Sequence, residues 1–368
     1  MNIISKKILH LFSIIILIIP FNCLIAQNVK NSGSNQIRPI RDNVGFCWQS
    51  SEMNSLMKYL KSHSDNSKMF TLKNLVAAIS PHDDYLYAGG VYYPLYKFIK
   101  AKEILIFGVT HGTVRKAMND PKNILIFDDY TFWHGPYGNV EISSLREILK
   151  VNLNKEDFTV SDSAENIEHS IEALVPFLQY NNRNVKITPI MVTQMPFERM
   201  DQVSDKLAAI ISGYMKQNKL KPGKDIFFLI SSDANHYGQD FNNIPYGEDE
   251  TAHAKGTVND KRIAKEAFTG RLNANKIQNL AKELWGKPTD NPPSPVWCGK
   301  YSVPFGLLTI SKVINDVTGK KLDGIIYKYS DSWSEGVIPI KQTNLGLTAP
   351  FSLKHWVGWL SAGFYMSN

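Results

Sequence analysis

Short apolar runs and longer amphipathic segments alternate along most of this chain. Each run is mostly apolar, shows no regular alternation and is bounded by polar residues, which is typical of strands buried on both faces. Five such strands are predicted, at Asn74–Ser80, Glu103–Gly108, Ile124–Phe127, Lys186–Val192 and Asp225–Ser231. Two later strands are predicted near Gly324–Tyr329 and Gly358–Tyr365.

The segments between these strands carry apolar residues at helical spacing. Helices are predicted at Gly89–Lys100, Ser143–Val151, Glu168–Tyr180, Met200–Met215, Lys261–Phe268, Ala274–Trp285 and Val303–Asn315. Repeated strand–helix units predict an α/β fold with a mostly parallel central sheet flanked by helices. Because no internal repeat and no linker of different composition divides the chain, a single domain is assigned to residues 41–368.

The N-terminus has the features of a secretory signal peptide. Lys6 and Lys7 form a positive start, the apolar run Leu11–Ile19 follows, and the small residue Ala26 ends the segment. This order predicts a signal peptide over residues 1–26 and therefore an exported protein, periplasmic or secreted. The alternative is an uncleaved membrane anchor, although the apolar run is shorter than the about 20 residues that a membrane-spanning helix needs.

The predicted mature chain is mildly basic. Removal of the signal peptide takes away two lysines and no acidic residue, so the formal charge falls from +7 to +5. The excess is spread along the chain, and we therefore expect no nucleic-acid partner and, after cleavage, no stable membrane insertion. Residues 27–40 are polar at first and are predicted to form a flexible tether. No Gly-x-Ser-x-Gly, Gly-x-Gly-x-x-Gly or Walker-type motif indicates a serine hydrolase or a nucleotide cofactor.

Three histidines follow predicted strands closely: His82, His111 and His236. The carboxyl ends of parallel strands meet at one edge of a sheet, and this edge is where open α/β sheets bind their ligands. We therefore expect the three side chains to share a metal or catalytic site. The alternative for each histidine alone is a polar cap or a loop residue that faces solvent.

Two cysteines, Cys47 and Cys298, remain in the predicted mature chain. So few cysteines do not make a disulfide framework, although a single Cys47–Cys298 bridge stays open as an alternative. A free thiol in an oxidising compartment is expected to be buried or bound. A thiolate together with imidazoles suits iron, copper or zinc, and not magnesium or calcium. Asp233 could add an oxygen ligand or orient His236.

The sequence resembles the Memo family, whose bacterial members are also called AmmeMemoRadiSam system protein B. Five motifs occur in the family's order: Pro81-His82-x-x-Tyr85, Gly108-x-x-His111, Glu168-His169-Ser170-x-Glu172, Ser231-Ser232-Asp233-x-x-His236 and Cys298-Gly299. The resemblance covers nearly all of the mature chain, starting at Gly45-x-x-Trp48. Memo proteins are in turn similar to class III extradiol dioxygenases, so the resemblance implies a dioxygenase-like fold.

The resemblance also implies a mononuclear metal site. His82, His111 and Cys298 match the residues taken to be metal ligands in the family, and the expected ion is iron or copper, with zinc as a further option. His236 resembles the dioxygenase's catalytic base, and Asp233 lies beside it in the sequence. The implied activity is that of an oxidase- or dioxygenase-like redox protein that acts on a small molecule.

Five further residues are candidates to support this site. Asp83-Asp84 stands where the family usually has Ala-Gly, and these carboxylates could add a ligand, favour a harder metal or point to solvent. Glu168 and His169 are expected at the start of a helix, either near the metal or in a capping role. Tyr85 could belong to an aromatic wall of the site or to the core.

Three functions follow from these patterns. The first is a metal-dependent redox protein. The second is a binding protein without turnover that holds a metal or a small ligand in the same cleft. The third is a hydrolase with zinc or a metal pair, held by Asp83, Asp84, Asp233 and the histidines.

Overall fold

The computed structural model describes residues 36–64, 74–341, 343–349 and 351–368. These residues belong to one compact unit, residues 35–368. The predicted signal peptide and residues 27–35 of the predicted tether lie outside the described residues. Among the helices that are described, none has the length and apolar character needed to cross a bilayer.

The strands form one mixed sheet. Their bounds are β1 Ile37–Arg38, β2 Leu75–Ser80, β3 Glu103–Val109, β4 Leu125–Phe127, β5 Phe132–Trp133, β6 Val140–Ile142, β7 Phe158–Val160, β8 Lys186–Val192, β9 Ile226–Ser231, β10 His236–Gly238, β11 Gly270–Arg271, β12 Lys321–Asp331 and β13 His355–Ser367. The order along the sheet is β1-β5-β6-β8-β3-β9-β2-β13-β12-β11. Strands β6, β8, β3, β9 and β2 run parallel, whereas β13, β12 and β11 extend the sheet with antiparallel pairs.

Helices cover both faces of this sheet. Their bounds are α1 Ser50–His63, α2 Tyr85–Tyr96, α3 Gly112–Ala117, α4 Ser144–Asn152, α5 Asp162–Ile167, α6 Val175–Asn181, α7 Phe197–Gln217, α8 Glu250–Phe268, α9 Ala274–Trp285, α10 Ser302–Thr318 and α11 Ser332–Glu335. The prediction of an α/β fold with a mostly parallel central sheet flanked by helices is confirmed.

Alternation along β9 shows how the two faces are filled. Ile226, Phe228 and Ile230 belong to the apolar core under α7, α8, α9 and α10. Phe227 and Leu229 belong to the core under α1, α2 and α6. Every residue of β9 is therefore buried, which explains why a continuous apolar run, and not an alternating one, identifies this strand in the sequence.

One predicted helix is wrong at its start. The sequence predicts a helix over Glu168–Tyr180, but α5 ends at Ile167 and Glu168 is extended, with ψ 142°. Helical structure resumes only at the 3-10 turn Glu172–Leu174, which leads into α6. The Glu168 carboxylate accepts hydrogen bonds from the amides of the next two residues, so it resembles a helix cap in sequence although no helix follows directly.

Other elements differ in extent. Helix α8 begins at Glu250, eleven residues before the predicted start at Lys261, because the Asp249 side chain caps it by accepting from the amide of Ala252 at 2.8 Å. Helix α1 was not predicted. The end of the predicted tether is folded, since Ile37–Arg38 pair with β5 in parallel.

Gly108, near the end of β3, is packed closely against the segment that contains Ser170 and Ile171. A methyl group on Gly108 would lie 2.4 Å from Ile171 Cγ1 and 3.1 Å from Ser170 Oγ. We predict that Gly108→Ala lowers the free energy of unfolding by about 1–3 kcal/mol, because a buried branched side chain must move. The control is Gly213→Ala in α7, where the added methyl meets no atom within 4 Å. This change should raise stability by about 0.5–1 kcal/mol. Urea unfolding of both variants measures the difference, and equal effects would contradict the packing argument.

Candidate metal centre

Three neighbouring parallel strands end at the same edge of the sheet. His82 follows β2, His111 follows β3 and Asp233 follows β9, and these strands lie side by side in the order β3-β9-β2. Ser80 pairs with Ser231 at the carboxyl ends of β2 and β9, so these two strands end at the same level of the sheet. The sheet therefore brings together the loops that the sequence singled out.

Cys298 reaches this edge on a segment that pairs with the loop after β9. The His236 amide donates to the Val296 carbonyl at 2.9 Å, and the Val296 amide donates to Asn235 Oδ1 at 3.0 Å. Behind this pairing, the buried Asp260 carboxylate accepts from the Trp297 indole at 2.9 Å. These contacts fix the backbone on which the thiol is carried.

The ligand atoms of His82, His111 and Cys298 lie within 4.8 Å of one another. The Cys298 sulfur is 3.4 Å from His82 Nε2, and the His82 and His111 rings meet edge to face with centroids 5.2 Å apart. A second group, Asp233, His236 and Cys298, meets the same distance limit and shares the thiol. Imidazoles and a thiolate at this spacing could hold a transition-metal ion.

Hydrogen bonds fix which nitrogen of His82 carries the proton. Ser231 Oγ donates its one proton to the Ser170 carbonyl, which can only accept, at 2.7 Å. The contact between Ser231 Oγ and His82 Nδ1, also 2.7 Å, therefore requires a proton on Nδ1. Burial, followed by interaction with His111, lowers the pKa of His82 well below its usual range. His82 is thus neutral at pH 7 with its Nε2 lone pair directed to the site.

Glu168 fixes the same tautomer in His111. Its carboxylate accepts from His111 Nδ1 at 2.7 Å and from the His111 amide at 3.0 Å. Burial alone would raise the pKa of Glu168, but the adjacent His111 and these hydrogen bonds lower it well below its usual range. The charged carboxylate keeps a proton on Nδ1, so Nε2 is the nitrogen through which His111 can bind a metal.

A third donor group, His111, Glu168 and His169, also meets the distance limit. Glu168 is fully used, however, because it also accepts from the amides of His169 and Ser170 at 2.9 Å. Its carboxylate therefore orients His111 and is not available as a ligand of a second ion. His169 stacks on His111 with ring centroids 4.6 Å apart, and its pKa is lowered to about 4 by burial, followed by interaction with His111.

His236 and Asp233 lie on the other side of the thiol. His236 Nδ1 donates to the Ala234 carbonyl at 3.2 Å, so its Nε2 is the free nitrogen. Burial, with a smaller effect of His111, lowers the pKa of His236 to about 4. Asp233 accepts from the His82 amide at 2.9 Å, and burial together with Asp83 raises its pKa well above its usual range.

The two cysteines among the described residues, Cys47 and Cys298, are free thiols, so the alternative bridge between them is not formed. Cys47 is buried in the core with Phe46 and Tyr85. Cys298 Sγ accepts from the Asp233 amide at 3.1 Å, a contact that favours a thiolate, yet burial and the nearby Asp233 raise the pKa of Cys298 well above its usual range. Without a metal, the thiol keeps its proton.

The Asp83-Asp84 pair has other partners and does not point freely to solvent. Asp83 accepts from the Trp359 indole at 2.9 Å, and Asp84 accepts from the Thr348 amide at 2.6 Å. Neither belongs to a donor group among the described residues. Tyr85 is a core residue that donates to the Ala173 carbonyl and packs on Phe177. Within the described part of the chain, none of these three residues joins a donor group with the histidines and Cys298, and no donor group contains two carboxylates, as a two-metal hydrolase would need.

Ser231 and the Ser170 carbonyl were missed in the sequence. Ser231 lies at the end of an apolar run and appears there as a strand residue, whereas its hydroxyl connects His82 to Ser170. The usable signal was its place in Ser231-Ser232-Asp233, next to a predicted site residue.

This chain is similar to a known protein family over most of its length. The family model described as Memo-like protein matches residues 44–332. A MEMO1 family protein of Saccharolobus solfataricus is 30% identical over 199 residues, 52% of this chain and 64% of that protein. One from Methanosarcina barkeri is 29% identical over 167 residues, 45% of this chain and 56% of that protein. One from Sulfurisphaera tokodaii is 32% identical over 173 residues, 45% of this chain and 55% of that protein. The chain therefore spans less than two thirds of the length of these curated relatives.

The protonated thiol makes metal binding pH-dependent. The pKa of Cys298 is raised, so the metal-free protein carries this proton throughout the neutral range, and a bound metal must displace it. We predict that the apparent affinity for Zn²⁺ rises about tenfold per pH unit between about pH 6 and 8. Competition with a chelating indicator measures the slope. Cys298→Ser should bind more weakly with a shallower slope, and an affinity independent of pH in the parent would contradict the assignment.

Proposed function

The chain belongs to the Memo-like protein family, and on this basis we propose that it is an exported redox protein with one iron or copper ion. His82, His111 and Cys298 would hold the ion. The proposed location outside the cytoplasm rests on the N-terminal sequence, with its two lysines, its apolar run and Ala26. The proposed substrate is a small molecule, and no nucleotide cofactor is needed.

The orientation of two imidazoles is the observation that carries this proposal. Hydrogen bonds at Nδ1 of both His82 and His111 make Nε2 the nitrogen that each ring can offer to a metal, close to the Cys298 sulfur. Unrelated histidine contacts have no reason to direct the same ring nitrogen to one point, whereas the ligands of a shared metal ion must direct their nitrogens to one point. When bound, iron or copper would supply Lewis acidity and one-electron redox chemistry.

The remaining side chains of the cluster have separate roles in this proposal. His236 Nε2 can accept a proton from a substrate or donate it back, because His236 Nδ1 is bound to a carbonyl. Asp233 holds the His82 backbone and, with its raised pKa, can carry a proton next to the thiol. His169 stacks on His111 and is half-buried, so its ring offers a contact for substrate.

One observation favours a second candidate, a metal- or ligand-binding protein without turnover. With a pKa of about 4, His236 is a weak proton acceptor at pH 7, and general bases work best when their pKa lies near the working pH. A protein that contains zinc and consumes no oxygen would support this second function.

Metal analysis of the purified protein, prepared without added metal or chelator, tests the proposal. We expect about one equivalent of iron or copper per chain, and a loss of most of it in His82→Ala, His111→Ala and Cys298→Ala. His63→Ala is the control, since His63 lies on the exposed end of α1. If His82→Ala and His111→Ala keep the parent's metal content, or if the parent binds no metal even after reconstitution under reducing conditions, the proposal is wrong.

A further inference from the structure

One short segment orients both proposed histidine ligands. Glu168 binds the His111 ring through its carboxylate, and the Ser170 carbonyl binds Ser231, which in turn binds the His82 ring. The two contacts lie only two residues apart in the chain. A small shift of this segment would therefore disturb both imidazoles together.

The segment has no regular secondary structure of its own to keep it in place. It connects the end of α5, at Ile167, to the 3-10 turn Glu172–Leu174, and Glu168 is extended. The Val109 amide of β3 donates to Ser170 Oγ at 3.0 Å, and Ser231 of β9 donates to the Ser170 carbonyl at 2.7 Å. Both of these contacts are made by Ser170, so the part of the segment before Ser170 is held by other contacts.

Arg38, in strand β1 at one end of the sheet, supplies these contacts. Its side chain is 2% exposed, and its guanidinium donates to the Glu165 carbonyl from Nε at 3.0 Å and from Nη2 at 2.6 Å. Nη2 also donates to the Glu168 carbonyl at 2.5 Å, and Nη1 pairs with the buried Glu172 carboxylate. One planar group thus connects Glu165 in α5, Glu168 in the segment and Glu172 in the 3-10 turn that follows it.

Arg38 is part of an N-terminal strap, defined here as residues 36–42. The amides of Arg41 and Asp42 donate to the same Glu172 carboxylate at 2.8 Å, and Arg38 stacks over Trp133 at 4.3 Å. Pairing of β1 with β5 aligns the strap along the sheet. The strap ends just before residue 44, where the match to the family model begins.

We propose that Arg38 is a positioning residue of the metal centre, through which the N-terminal strap holds Glu168 and Ser170 where they orient His111 and His82. The proposal deepens the proposed metal-binding function and rests on it. It makes metal binding depend on Arg38, whose hydrogen bonds go to residues other than the three proposed metal ligands.

The loss expected on removal of Arg38 follows from burial. Without the guanidinium, the carbonyls of Glu165 and Glu168 lose charged donors, and Glu172, which is 1% exposed, loses its counterion. Buried acceptors without donors draw in water or move, so the segment should relax away from both histidines. Changes to residues that orient metal-bound histidines typically weaken metal binding by about 10- to 100-fold.

The test compares Arg38→Met in the full chain with a matched control, Arg199→Met. Arg199 has the same kind of role elsewhere, because it donates to the carbonyls of Asn123 and Glu156 and pairs with the buried Asp157. Both variants should lose thermal stability. Two readouts separate positioning from stability: the affinity for Co²⁺, followed by thiolate-to-metal absorption, and the ring N–H signals of ¹⁵N-histidine in the metal-free protein.

For Arg38→Met, we expect Co²⁺ affinity to fall about tenfold or more, and the two exchange-protected Nδ1–H signals of His82 and His111 to be lost. Arg199→Met should keep both signals and bind Co²⁺ within about threefold of the parent. Parent-like affinity and parent-like signals in folded Arg38→Met would overturn the proposal. If Arg38→Met does not fold, Arg38→Lys takes its place, since lysine keeps the charge but cannot bridge both carbonyls. This variant should show the same fall in Co²⁺ affinity and the same loss of the two ring signals. If it shows neither, the proposal is wrong. A parent that binds no Co²⁺ would refute the metal function alone, since the ring signals still report the strap.

Discussion

The Nδ1–H of His111 donates to Glu168 and the Nδ1–H of His82 donates to Ser231, and the chemistry available at this sheet edge depends on these two bonds. They turn two imidazoles so that both Nε2 atoms face the Cys298 thiol. If either ring carried its proton on Nε2, it would present a donor to a cation and could not bind it. The fold can be understood as the support that keeps these two tautomers in place.

Several layers of structure contribute to that support. Parallel pairing of β2, β9 and β3 aligns the ends from which His82, Asp233 and His111 leave the sheet. The segment at Glu168–Ser170 supplies the acceptors, and Arg38 holds that segment through charged hydrogen bonds in a buried environment. Charged hydrogen bonds are stronger than neutral ones, and unpaired buried acceptors are costly, so this network has little freedom to relax.

The sequence predicted the central parallel strands well because burial on both faces leaves an apolar run, and Lys186–Val192 matches β8 residue for residue. The short strands β1, β5, β6, β7, β10 and β11 were not predicted, because two or three residues leave no such run. It also placed His82 and His111 at the same edge from topology alone. The helix at Glu168 was wrong because the carboxylate caps the amides of His169 and Ser170, as a helix-capping residue would, while the chain stays extended. Local pattern cannot distinguish these cases.

Arg38 and Ser231 show a second limit of sequence-based inference. Arg38 stands in a polar stretch that resembles a tether, and its partners Glu165 and Glu168 lie more than 120 residues later in the chain. Ser231 resembles an ordinary strand residue, and its role emerges only from the register that sets β9 beside β2. Both roles come from tertiary contacts, and neither hydrophobic periodicity nor residue type in the sequence indicates such contacts.

X-ray absorption by the protein loaded with one equivalent of Zn²⁺ tests the central claim most directly, because it reports the atoms around the ion. The account predicts one sulfur at about 2.3 Å and two imidazole nitrogens at about 2.0–2.1 Å, with the multiple scattering of histidine rings. A shell of oxygen and nitrogen without sulfur, or a spectrum without imidazole scattering, would contradict a site built from His82, His111 and Cys298.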